Sequence, residues 1–207
     1  EYQGKALFID LHGHGHAIQQ LELGYSLTAN QLDQSDSVLN TQNYIKTSSI
    51  RNLVSKNING FSHAELIRGQ FALGSLLTNA GYPSVPSIAT PTPGSNPYFD
   101  GGYNTQNYTS NLAGNTVDGL QIECNYTNVR ENYTTRKVFG EVLAKSILSY
   151  LEIHQNLILT QCSLVNSTLI KGGNPYYLYT NTANQSMYFQ FHNLNLIGKQ
   201  YLLHNYL

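Results

Sequence analysis

The segment Asp10-Leu11-His12-Gly13-His14-Gly15-His16 constrains this chain more than any other stretch. Three of the seven histidines fall within five positions, directly after the apolar run ALFIDL at residues 6–11. A short apolar run that ends in glycine punctuation reads as a buried strand. If the backbone stays extended, alternate residues project to one side, so His12, His14 and His16 share a face with Asp10. Neutral imidazole is the usual nitrogen ligand of zinc, at about 2.0–2.1 Å. A strand end holds ligands rigidly, and the glycines let a metal or a substrate approach the backbone. Asp10 is placed to orient an imidazole through its second nitrogen. Glu22, after a short loop, can add a carboxylate ligand. The competing reading makes the histidines exposed polar residues of a turn.

Composition narrows the partners. Only 11% of the 207 residues are charged, against about 25% in an ordinary globular domain. Uncharged polar residues fill the gap, with 23 Asn and 16 Tyr. The net charge of -1 leaves no basic excess to neutralise phosphates, which argues against nucleic acid as a partner. No apolar run approaches the ~18–20 residues of a membrane span. Two cysteines, Cys124 and Cys162, make no disulfide scaffold; one bridge or two buried thiols are both open. No signal-peptide pattern opens the sequence. Five Asn-x-Ser/Thr sequons, at Asn107, Asn125, Asn132, Asn166 and Asn184, are about what this composition yields by chance, so an extracellular location stays open.

Along the chain, LELGYSL from Leu21 is a second apolar patch, and residues 29–60 read as a loop-rich excursion. Ser62-His63-Ala64-Glu65 fits a capping box, and the leucines that follow predict a helix running to a stop at Gly81. All but one of the six prolines lie between 83 and 97, in a long shaped loop of the kind that tends to be functional. Residues 117–124 (VDGLQIEC) predict a strand with Leu120, Ile122 and Cys124 on one face and Gln121 and Glu123 on the other. Residues 134–153 predict a helix. Beyond Glu152 no acidic residue occurs, and STLI, YYLYT and SMYFQF have strand-like content. That tail is a small β-rich appendage or an edge extension of the same sheet.

A carboxylate inside an apolar strand is costly unless paired or bound to something. Glu123 therefore reads as a general base that takes a proton from a metal-activated water, or else as half of an ion pair with Arg51, Arg68 or Arg130. Arg51 and Arg68 lie in charge-poor stretches, and their planar forks suit a substrate carboxylate or a structural salt bridge. No nucleophile elbow marks a serine hydrolase, and Cys124 faces the apolar side.

Six segments in order, FIDLHGHGHAIQQLELGYSL, SSIRNL, ELIRGQFALGSLL, GYPSVPS, PYFDGGYNT and GLQIECNYTNVREN, resemble the N-formylglutamate amidohydrolase-like family of zinc carboxypeptidase and aminoacylase-type hydrolases. The resemblance covers about residues 5–153. It implies an α/β class chain: a three-layer α/β/α sandwich around a mixed sheet, zinc-carboxypeptidase-like, with domains at 1–153 and at 154–207, a β-rich extension. The hydrolase domain is expected to lack its N-terminal part. The resemblance implies one zinc ion, His12 as first ligand, Glu22 as acidic ligand and Glu123 as the catalytic glutamate. The family carries a further His after its GGY-x-T segment; residues 101–108 here contain none, which leaves His14 or His16 to complete the metal set. The implied substrate is an N-acyl amino acid or peptide-like amide, with Arg51 or Arg68 on its carboxylate.

Two other readings stay open: a non-catalytic relative serving as an extracellular binding module, and a metal-dependent (β/α)8 barrel, for which the chain is short of the ~250 residues usual there.

Overall fold

The computed structural model describes residues 6–156, 163–171, 174–180 and 186–190. Contacts divide the chain into two compact units, Glu1–Gln155 and Asn156–Leu207. The first is a mixed α/β unit. Its sheet contains β1 (Leu7–Gly13), β2 (Leu21–Gly24), β3 (Ser84–Val85) and β4 (Asp118–Cys124), in the order β1-β4-β2-β3. β1 runs parallel to β4, β4 antiparallel to β2, and β2 parallel to β3.

Strand alternation divides the sheet into two chemically different faces. Leu120 and Ile122 of β4 pair in register with Ile9 and Leu11 of β1, and Ile122 also pairs with Leu23 of β2. Leu23, Leu120 and Ile122 lie in the core with Ile9 packed against it, and join Leu53, Leu66, Leu73 and Leu77 and, from the long helix, Phe139, Leu143 and Tyr150; Leu11, at the strand end, is 54% exposed. The other face carries Asp10 and His12 from β1, Gln121 and Glu123 from β4, and Glu22 from β2.

The helices are α1 (Ala29–Leu32), α2 (Asp36–Leu39), α3 (Gln42–Ile45), α4 (Arg51–Lys56), α5 (His63–Arg68), α6 (Leu73–Asn79), α7 (Tyr103–Tyr108) and α8 (Tyr133–Gln155). The loop-rich reading of 29–60 is corrected: four short helices lie there. Thr28 and Gln31 form a reciprocal capping box, but a four-residue helix is too short to display an apolar period. The single helix expected from Ser62 to Gly81 is also corrected. Gly69 adopts an extended conformation and separates α5 from α6, while the capping box at Ser62 and Glu65 forms as read. Gly81 does follow the end of α6, with φ of 95°.

The second unit contains an antiparallel sheet, β5 (Ser163–Lys171), β6 (Asn174–Thr180) and β7 (Ser186–Gln190), in the order β5-β6-β7. It is a sheet of its own, not an extension of the first. Cys162, Asn184, His192, His204, Gly172 and Gly173 lie outside the described residues. Cys124 is a buried free thiol. Among the described residues no helix is long and apolar enough to cross a membrane.

Two buried histidines tie helices together. His63 Nδ1 donates to the Leu39 carbonyl at 2.7 Å, and His154 Nε2 donates to the Phe71 carbonyl at 2.9 Å. Burial holds both imidazoles below the ordinary histidine range, against the opposing pull of those carbonyls. The unfolded chain therefore binds more protons than the folded one once the pH drops under about 6.5. Stability present above that pH is lost below it. The urea midpoint should fall between pH 7.5 and 5.5, and fall less in His154→Gln; equal midpoints for the wild type at the two pH values would contradict this account.

Candidate functional site

Register brings three of the sequence-derived residues into one row. His12 of β1 pairs with Glu123 of β4, and Glu123 pairs with Glu22 of β2. Paired residues share a face, so the three side chains stand side by side across the sheet. Both carboxylates are buried: Glu22 is 1% exposed and Glu123 is 6% exposed. At a separation of ~5 Å and an effective dielectric of ~20, two such charges repel by about 3 kcal/mol.

Imidazoles, side-chain amides and a backbone N–H surround these acids. Glu123 Oε1 accepts from Gln121 Nε2 at 2.7 Å and lies 3.9 Å from His12 Nδ1. The other ring nitrogen of His12 lies 3.1 Å from Asp10 Oδ2, which also accepts from Asn104 Nδ2 at 3.0 Å. Asp10 thus orients His12 and turns its Nδ1 toward Glu123. Glu22 Oε1 sits 2.7 Å from His16 Nδ1, and Oε2 accepts from the Phe99 N–H at 2.9 Å. No Lys or Arg pairs with any of these acids among the described residues.

The HGHGH turn is shaped by His14. Its Nδ1 accepts from the backbone N–H of His16 at 3.1 Å, and its Nε2 donates to the Gln20 carbonyl at 2.8 Å. That fold-back sets His16 against Glu22. His14, His16 and Glu22 could together hold a metal ion: one donor atom from each lies within 4.8 Å of the others. Of the three, His14 would have to release Gln20 to bind one. His12 stands outside this group, on β1 two strands from Glu22, beside Glu123.

Arg130 shows why Gly13 is a glycine. The turn Tyr126–Arg130, with Asn128 at φ 62°, swings the guanidinium back over the end of the sheet. Nε donates to the Cys124 carbonyl at 2.9 Å and Nη2 to the His14 carbonyl at 2.7 Å. A Cβ on Gly13 would lie 2.6 Å from that guanidinium, whereas Gly15 faces open space. The group that approaches the backbone at Gly13 is therefore this side chain.

The ion pairs weighed for Glu123 do not form. Arg51 donates to the Leu112 carbonyl at 2.9 Å. It sits at the start of α4 beside Asn52, whose N–H bonds Asp118 at the opposite end of β4. Asp118 and Glu123 are five positions apart, about 16 Å along a strand. Arg68 is consumed by Asp36 and by the Leu32 and Gln34 carbonyls. Both guanidinium groups thus serve the fold. Burial pushes the Cys124 thiol up to about 12, which suits a core residue and not a nucleophile.

The proline-rich loop walls one side. Where β3 ends, residues 98–100 take over the edge of β2: Tyr98 Oη donates to the Leu23 carbonyl at 2.6 Å, and the Ser26 N–H donates to the Asp100 carbonyl at 2.7 Å. The Phe99 ring stacks on His16, with centroids 4.9 Å apart and planes 9° apart. Phe99, Gln121 and Asn104 were not singled out from sequence. Only Gln121 left a trace there, as the polar neighbour of Glu123 on the alternating strand.

Comparison with family models, curated proteins and solved structures returned no match to this chain.

A Cβ on Gly24 would collide with backbone atoms of Asp100 and Gly101, which have no side-chain freedom to yield. Gly24→Ala should therefore push the 98–101 segment off β2 and cost ~1–3 kcal/mol in urea unfolding. Wild-type stability in that variant would show that the loop is not seated there.

Proposed function

We propose that this chain is a zinc-dependent hydrolase of an N-acyl amino acid or peptide-like amide, of the N-formylglutamate amidohydrolase-like kind, built on a zinc-carboxypeptidase-like α/β/α core. The observation that carries the reading is the row His12–Glu123–Glu22, its two carboxylates buried, with His16 against Glu22. Two buried carboxylates on neighbouring strands, beside imidazoles and ion-paired with no Lys or Arg among the described residues, are a donor set that a divalent cation would neutralise. His16 and Glu22, with His14 adjoining, are the residues that would hold it. Imidazole nitrogen and carboxylate oxygen suit zinc.

When bound, zinc supplies Lewis acidity toward the amide carbonyl and toward water. The chain supplies the rest. Gln121 engages Glu123 Oε1, which leaves Oε2 to take the proton of the attacking water and return it to the departing nitrogen. His12, braced by Asp10, borders the same carboxylate. Phe99 and the 98–101 segment keep water from the His16–Glu22 side.

One observation favours the second reading, a non-catalytic binding module. Residues 101–108 contain no histidine, and Asn104 in that stretch bonds Asp10.

Glu123→Gln should abolish amide turnover while the purified protein keeps about one zinc per chain, as read by elemental analysis. Turnover that survives the change would overturn the mechanism. Wild-type protein that takes up no zinc would favour the binding module.

A further inference from the structure

We propose that β1 is a dimerisation edge, where two copies of this chain join their sheets antiparallel about a two-fold axis at Ile9. The inference is independent of the hydrolase reading.

The first unit's sheet has two unlike edges. β3, at one of them, is two residues long and stops at Pro86, which has no N–H to offer a further strand. β1, at the other, is seven residues long and pairs with β4 on one side alone. Among the described residues no other backbone hydrogen bond reaches Leu7–Gly13. The devices that blunt an open edge are missing. The strand LFIDLHG holds no Lys and no Pro, and its register with β4 runs without a bulge. Its one carboxylate, Asp10, is engaged by Asn104 and His12. β4 is buried throughout, whereas β1 is half-buried as far as Asp10 and exposed beyond it. Leu7 and Ile9 pack against the margin of the core, and Leu11 is 54% exposed.

The strand is complementary to itself. An axis through Ile9, perpendicular to the sheet, keeps the apolar faces of both copies on the same side. It sets Ile9 against Ile9 of the second copy and Leu7 against its Leu11, so one apolar ladder covers both margins. Phe8 then stands opposite Asp10 of the second copy, and no like charges meet. Centring the pair on Asp10 would oppose the two carboxylates, and a one-residue slip would bring apolar positions against polar ones. The four-stranded sheet of each copy thereby continues into the other.

The test is analytical ultracentrifugation of the full chain as wild type, Leu11→Lys and Ile58→Lys. The wild type should sediment as a dimer in the micromolar range. Leu11→Lys should weaken the dimer at least ten-fold with an unchanged circular dichroism spectrum. Ile58→Lys, at a 52% exposed position outside the sheet, should leave it intact. A second measurement reads the register without placing a lysine in the strand. Leu7→Cys and Leu11→Cys chains, mixed and treated with a short bis-maleimide, should give more cross-linked dimer than either chain alone. A monomeric wild type would overturn the inference, as would a dimer indifferent to Leu11→Lys or a mixture that cross-links no better than its components.

Discussion

Glu22 and Glu123 occupy opposite positions on two antiparallel strands, buried, on the same face of the sheet. Like charges in that relation oppose the pairing of the strands that carry them. The surroundings soften the conflict without cancelling it. An imidazole and a backbone N–H hold Glu22, and a carboxamide holds Glu123. Such an arrangement costs stability, and a bound cation of the proposed kind would offset that cost. The rest of the unit can be understood as the scaffold that keeps these two groups in place: the apolar reverse face in the core, the Arg130 clamp on the strand ends, and the 98–101 segment along β2.

Much of this was legible in the sequence where local chemistry is strong. The strand into HGHGH, the strand bearing Glu123, the long second helix and the Ser62 cap all follow from apolar period or capping residues within a few positions. The tail's strand-like segments correspond to a three-stranded antiparallel sheet. Asp10 as orienter of a histidine was also readable, because residues two apart on a strand share a face.

What was not legible depends on contacts distant in sequence. Nothing local says that Glu22 pairs with Glu123 across 101 positions, since strand order is set by the packing of the whole sheet. The role of His14 requires knowing that Gln20 curls back to accept its proton. Arg51 and Arg68 look like ligand-binding cations in a charge-poor sequence, yet they spend their donors on carbonyls 61 and 36 residues away. Gly13 suggests room for a ligand, and the space is filled by Arg130, 117 residues on. Short helices in 29–60 escaped because a single turn has no period to detect.

On the proposed reading, the Glu22–Glu123 pair is strained alone and relieved by a divalent cation. The most direct measurement compares the thermal unfolding of wild type and Glu22→Gln, each with and without zinc. Without metal, the variant should match or exceed the wild type, because it removes one of two neighbouring buried charges. Zinc should raise the wild-type midpoint and leave the variant unmoved. A metal-free variant less stable than the wild type, together with a wild-type midpoint indifferent to zinc, would contradict the claim.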